Sequence, residues 1–469
     1  MSLWPARLRQ ASSRLLENPL MRRVVRNSGY LFGSTGISAA IGMLQGILTA
    51  RLLGVAGYGI LGAITLFTSV VNKFASFRMS ELVIKYVGQF HEQDDPQRAA
   101  AVFKAAALTE MAASFAAYGL VALLAPVGAR LLAKDPAAAQ WFTVYGLIVL
   151  ANLVSESSTG LLLIFDRFRR MGFITVIQSA FTLVIIIVVY ANQGGMLGIL
   201  VAYLLGKAFG AVSLTLAAFL EARRRWGAGW WRVPLGLLRP YRRELVHFGV
   251  STNISASLSL INKDSELLWV LLLRNPLEGG YYKLALALAN VVQMPVAPLP
   301  QATYPELSRE AARGQWGNVR YILRQGSILA GGYSLAAAAG LLLLGRPVIR
   351  YFYTPEFLPA YPALLLILAG LLAANTFYWQ RTALLAVGLP DFPTKVNTVL
   401  AVLKVVGILL LVPVFGYIAN AGLLAGSYIL GVSVSVWRLL RELKSKEQAQ
   451  GGAPDSRDQA DASGRDKPV

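Results

Sequence analysis

Long apolar runs, separated by short polar stretches, recur along the whole chain. A window of about 19 residues resolves twelve of them, at 28–50, 57–77, 103–125, 140–165, 172–191, 196–219, 247–273, 279–304, 321–344, 361–386, 394–414 and 417–437. An apolar run of about 20 residues is long enough to cross the bilayer core as a helix. The polar stretches alternate in character. Of the 44 lysines and arginines, 32 fall in the N-terminal arm, the loops after even-numbered spans and the C-terminal segment. Six fall in the opposite loops and six lie within spans. The positive-inside rule places the basic side in the cytoplasm. The pattern predicts an all-α polytopic membrane protein with both termini cytoplasmic, in a plasma or inner membrane.

Composition agrees. The 469 residues are 55% hydrophobic and 14% charged, against about 25% charged in soluble domains. Zero cysteines exclude disulfides, thiolate metal sites and cysteine nucleophiles. Two histidines give no basis for a histidine metal centre, so no metal or other cofactor is expected. The net charge of +20 reads as topology rather than nucleic-acid binding.

The expected organisation is a basic cytoplasmic arm (1–27), a first lobe of six spans (28–220), a basic cytoplasmic linker (221–246), a second lobe of six spans (247–440) and a disordered cytoplasmic tail (441–469). The tail has too few large apolar residues to bury a core. The linker, "EARRRWGAGWWRVPLGLLRPYRR", sets Trp226, Trp230 and Trp231 beside arginines. That composition suits a segment lying on anionic headgroups.

The two halves resemble each other. "LLGVAGYGILGAI" (52–64) returns as "LLLRNPLEGGYYKLALAL" (271–288), and "GGMLGILVAYLLG" (194–206) as "ANAGLLAGSYILG" (419–431). Tyr58 and Tyr282 are 224 apart, as are Gly198 and Gly422. An even number of spans per copy gives both copies one orientation, the parallel-repeat arrangement of transporters. Two pseudo-symmetric six-helix lobes are expected.

Charges inside spans need a partner, a wet cavity or a function. The span cations are Lys73, Lys207, Lys263, Lys283, Arg381 and Lys404, with Arg51 and Arg78 at span ends; the acids are Glu110, Glu156, Asp264 and Glu266. The excess of cations suits an anionic ligand. Lys207, Glu110 and Glu156 read as pairs within one lobe. Lys263 and Glu266 share a helix face. Asp264 points elsewhere, and Lys404, at similar depth, is its expected partner in a coupling or gating set of Asp264, Glu266 and Lys404. Gly42 and Gly46 in the first span, with Pro295, Pro298 and Pro300 in the eighth, are expected hinges.

"ARLLGVAGYGILGAI" (50–64), "NKDSELLWVLLLRNPLEGGYYKLALAL" (262–288) and "GYIANAGLLAGSYILG" (416–431) resemble the bacterial oligosaccharide flippases of the multidrug/oligosaccharidyl-lipid/polysaccharide exporter superfamily. The resemblance covers about residues 27–440. It implies two lobes opening alternately, and carriage of a polyprenyl-pyrophosphate-linked oligosaccharide from the inner to the outer leaflet for cell-surface polysaccharide assembly. The implied partners are the lipid-linked oligosaccharide, membrane lipids, a glycan polymerase and assembly proteins. Arg51, Lys73, Arg78, Lys263, Lys283 and Arg381 are then the expected substrate contacts, because a pyrophosphate needs cations. Trp269, Tyr281, Tyr282, Tyr304, Tyr378 and Trp379 are candidates to stack on sugars or to form the interfacial belt.

Two other readings share this scaffold. A cation-coupled multidrug exporter calls for an acid in the first span, and "NSGYLFGSTGISAAIGMLQGILTA" has none. A lipid II flippase usually has fourteen spans. Proton or sodium is the expected coupling ion. An enzyme would need a large loop bearing catalytic acids, whereas the longest loops here are basic.

Overall fold

The computed structural model describes residues 19–75, 79–249 and 265–451. Arg78, Lys263 and Asp264 lie outside the described residues, as do 1–18 and 452–469. Among the described residues the secondary structure is helical, with no strand. Eight stretches of the described residues are long and apolar enough to cross a membrane. Two of these each contain two of the expected spans. Gly54 (φ 65°) divides Pro19–Ala75, and Gly416 (φ 67°) divides Asp391–Gly451. Positive φ carries little penalty only for glycine, so these positions set the boundary between consecutive spans.

The eighth span is broken where the prolines lie. Pro276–Gln293 ends in a turn over 294–298, and Leu299–Ala312 follows. Pro295 and Pro298 sit in the turn, Pro298 is the N-cap of the next helix, and Pro300 lies in its first turn. Proline is tolerated there because a first-turn N–H has no intrahelical acceptor. The first helix, in contrast, runs through Gly42 and Gly46 without a break.

Two further breaks fall inside expected continuous spans. The fourth span is interrupted at 152–154 and resumes as Ser155–Ile164; the tenth is interrupted at 377–379 and resumes as Gln380–Ala386.

The chain forms two compact units. The first comprises Met1–Lys283 with Phe352–Glu356; the second comprises Leu284–Tyr351 with Phe357–Val469. Within the first, Phe168–Ala191 packs closely on Gly195–Trp226. A Cβ added at Gly206 would overlap the Thr182 hydroxyl, and one at Gly210 would overlap Gln178. Small residues at such crossings let helix backbones approach, which is how helices associate in lipid.

On the basic side, the amphipathic helix Met79–Glu92 buries Met79, Leu82, Val83, Tyr86, Val87 and Phe90. The next helix starts at Pro96. Asp95 caps it by accepting a hydrogen bond from the Arg98 N–H (2.9 Å), and Pro96 stands at its first position. Trp230 packs on Phe103 (centroids 5.3 Å apart) and is only 9% exposed, whereas Trp231 is exposed. The linker is therefore pinned by one buried tryptophan, and of its expected interfacial trio only Trp231 stands clear of the protein core.

Candidate functional site

The two copies of the repeated signature meet within the first unit, at the end of the helices away from the amphipathic helix. After the break at Gly54, the start of helix 55–75 lies against the start of Pro276–Gln293. A Cβ on Gly59 would overlap the Pro276 carbonyl oxygen and lie 2.9 Å from the Gly280 nitrogen. One on Gly280 would overlap the Val55 carbonyl. Backbone meets backbone here, so neither position has room for a larger residue.

Lys283 closes this junction. Its Nζ lies 4.0 Å from the centroid of the Tyr58 ring and donates to the Tyr58 carbonyl at 3.2 Å. The amine thus has a π face and a neutral acceptor, but no carboxylate among the described residues. Tyr282, fully buried, donates to the Glu266 carboxylate at 3.2 Å. The expected pairing of Glu266 with Lys263 lies outside the described residues; the tyrosine of the next helix is a partner additional to it. Arg51 is exposed, and its Nε donates to the Tyr353 carbonyl at 2.9 Å. Lys134 Nζ reaches the Leu272 carbonyl at 2.9 Å.

The break in the fourth span forms a second polar centre in the same unit. Glu110, 5% exposed, accepts from the Glu156 N–H (2.7 Å), the Ser157 N–H (2.9 Å) and the Ser157 hydroxyl (2.7 Å). These amides belong to the first turn of Ser155–Ile164, where N–H groups lack intrahelical partners and the helix dipole is positive. The expected ion pairing of Glu110 is therefore replaced by a helix cap. Glu156 turns outward and accepts from the Ser80 hydroxyl at 3.0 Å. Lys207 makes no ion pair at bonding distance among the described residues, but Glu156 is near enough for its charge to act on it, as the expected grouping within one lobe requires.

The remaining candidates are dispersed. Lys73 is partly buried near the end of helix 55–75. In the second unit, Arg381 is exposed at the start of Gln380–Ala386, and Lys404 is partly buried in Asp391–Gly451. The expected pairing of Lys404 with Asp264 lies outside the described residues. Trp379 is not available to stack on a sugar. It is buried at the break in the tenth span, with its Nε1 donating to the Ser327 hydroxyl at 2.8 Å. Reading residue by residue missed the backbone contact at Gly59 and Gly280. Its signal was the repeat itself, since "GYG" and "GGYY" supply both faces.

At the basic side, Glu221 is 1% exposed between Arg167 (2.7 Å), Arg225 (3.3 Å) and Arg170 (3.9 Å). Burial opposes its ionisation, but the hydrogen bonds and charges of Arg167 and Arg225 outweigh it and hold the carboxyl below its ordinary pKa. The same pair raises Arg167.

The chain is similar to the Inner membrane protein YghQ of Escherichia coli (strain K12), with 24% identity over 341 residues, covering 72% of this chain and 95% of that protein. Its fold is similar to an inward-facing multidrug resistance MATE family transporter of the MOP superfamily (TM-score 0.67, 14% identity, 88% and 96% of the two chains). It is also similar to the lipid II flippase MurJ in an inward closed conformation (TM-score 0.65, 14% identity, 89% of each chain). These neighbours are transporters and flippases rather than enzymes. A family profile described as polysaccharide biosynthesis protein matches residues 24–310, so this chain, with its several helices long and apolar enough to cross a membrane, belongs to the polysaccharide biosynthesis protein family.

Proposed function

We propose that this protein is a flippase that moves a polyprenyl-pyrophosphate-linked oligosaccharide across the inner membrane by alternating access, with both termini in the cytoplasm. The observation that carries the reading is the state of Lys283. It is an amine within an apolar helix, and among the described residues it has no carboxylate partner. Lys283 is held by a ring and a carbonyl, which orient the amine without neutralising it. A pyrophosphate supplies the missing counter-charge, and in a low-dielectric site that attraction is strong. Family membership and the likeness to a lipid II flippase support a lipid-linked substrate.

In this reading the contact between Gly59 and Pro276 is the closed side of the transport cycle, and substrate passage requires it to part. The protein is reconstituted in vesicles carrying polyprenyl-pyrophosphate-linked oligosaccharide on one leaflet. A membrane-impermeant glycosidase then reports the sugar reaching the other leaflet. Translocation is expected, and imposed proton or sodium gradients identify the coupling ion. No translocation, together with efflux of a cationic dye from the same vesicles, overturns the reading in favour of a drug exporter. Reporter fusions at Gly194 and Gly451 are expected to read periplasmic and cytoplasmic.

A further inference from the structure

On the basic side of the first unit, a cavity of about 350 Å³ opens between the amphipathic helix, the start of the third span and the linker. Its walls are apolar: Met79 and Leu82 from the amphipathic helix, Val102 and Ala106 from the span, Leu238 and Leu245 from the linker. Arg239 and Arg242 complete the lining, and both are exposed. Among the described residues no carboxylate pairs with either guanidinium.

The wall is held in place. Tyr241, between the two arginines, packs edge-on against Phe90 at 5.2 Å. Glu244 accepts from the Tyr86 hydroxyl at 2.8 Å and pairs with Lys85 at 3.6 Å. Phe248 packs on Tyr86 at 5.7 Å. The Arg242 N–H is bonded to the Arg239 carbonyl, which sets the backbones of the two arginines one 3₁₀ turn apart.

We propose that this groove binds one anionic phospholipid of the leaflet facing the basic loops. The phosphodiester lies between Arg239 and Arg242, and one acyl chain enters the apolar cavity. Three observations select this occupant. Two unpaired guanidiniums at the rim call for an anion, and Arg binds phosphate bidentately. Among the described residues the lining has no other polar side chain, Thr109 apart, which calls for a hydrocarbon rather than a nucleotide or sugar. From Val102 to Thr109 the helix rises about 10 Å, the depth of the headgroup and upper acyl region where amphipathic segments lie. The volume suits part of one acyl chain and is small for an extended polyprenyl tail. The bound lipid would add to the contacts that already join the linker to the amphipathic helix, making this unit's basic face sensitive to lipid charge.

Native mass spectrometry of the full chain, purified in detergent and titrated with phosphatidylglycerol or phosphatidylcholine, tests this. One phosphatidylglycerol is expected to bind preferentially. Arg239→Gln with Arg242→Gln is expected to weaken it about thirtyfold, since each basic side chain near an anionic headgroup contributes about a factor of five. Ala105→Phe, which fills the cavity and leaves the arginines in place, is expected to lower affinity for long-chain but not short-chain phosphatidylglycerol. Arg350→Gln, at the far end of another helix, is expected to leave binding unchanged. Equal binding of the two lipids overturns the proposal, as does undiminished phosphatidylglycerol binding by the double variant. So does displacement of phosphatidylglycerol by equimolar polyprenyl pyrophosphate, which would assign the groove to the transported lipid. Stronger lipid binding after removal of residues 1–18 would show the arm to be the occupant and also overturn it.

Discussion

Replacing Gly59 by alanine adds one methyl where the structure has backbone. The new Cβ would lie 2.7 Å from the Pro276 carbonyl carbon and 2.9 Å from the Gly280 nitrogen, and would overlap the Pro276 oxygen. Backbone atoms cannot rotate away as a side chain can, so relief requires the two helix starts to separate. Overpacking of this kind costs about 1–3 kcal/mol. If the contact is the closed side of the cycle, that cost falls on the closed state alone and shifts the closed-to-open ratio about 5–150-fold. The natural chain has no cysteine, so a single Val55→Cys reports directly; Val55 is 4% exposed beside Gly280. Labelling by an impermeant maleimide is expected to rise at least fivefold in Gly59→Ala, while transport falls. Gly42→Ala serves as the control, because nothing lies within 4 Å of its added Cβ. Unchanged labelling and unchanged transport in Gly59→Ala, with a normal melting temperature, would refute the gate.

Glu110→Gln replaces an acceptor-only carboxylate with an amide whose NH₂ cannot accept from the Glu156 or Ser157 N–H. Hydrogen bonds to a charged acceptor are worth about 1.5–3 kcal/mol, so a loss of about 2–3 kcal/mol in stability is expected, read as a lower melting temperature in detergent. Lys283→Gln is expected to abolish transport of pyrophosphate-linked substrate while costing only about 1 kcal/mol of stability, the scale of a cation–π contact, as measured by vesicle transport beside thermal melting. Glu221, held below its ordinary pKa, binds more protons unfolded than folded as the solution is acidified. Its stabilisation is present above the unfolded value of about 4.3 and is lost as pH falls through the folded value. The wild-type melting temperature should drop on acidification, and Glu221→Gln should lack that component and be about 1–2 kcal/mol weaker at neutral pH.

Much of the fold was legible because lipid enforces long apolar helices, and these stand out in any hydropathy window. The break in the eighth span was legible too, since Pro295, Pro298 and Pro300 announce it. The breaks at 152–154 and 377–379 were not. "LANLVSES" and "ANTFYWQR" contain neither proline nor glycine, and the groups that satisfy the interrupted backbone come from elsewhere. Glu110 lies more than forty residues before the break it caps, and Ser327, which anchors Trp379, lies 52 residues away. The charged residues of the candidate site were legible as residue types but not as partnerships. Glu110 found backbone amides where an ion pair was expected, and Lys283 found the Tyr58 ring and carbonyl, for which no partner was expected.

The repeat is symmetric in scaffold and asymmetric in chemistry, and the junction shows why this matters. At the offset relating Tyr58 to Tyr282, Gly59 corresponds to Lys283. Both positions serve the same contact. One copy supplies the smallest residue, which admits the Pro276 carbonyl; the other supplies a cation, which lies on the Tyr58 ring. Two glycines would leave the contact without its charge, and two lysines would force the backbones apart and set like charges together. The exchange Gly59→Lys with Lys283→Gly tests this division of roles. Gly59→Lys alone is expected to abolish transport and lower the melting temperature, because Pro276 occupies the space its Cβ needs. Adding Lys283→Gly is expected to rescue neither, since it opens space on the wrong side of the contact. Recovery of transport by the double variant would show the two positions to be interchangeable, and the junction symmetric in function as well as in descent.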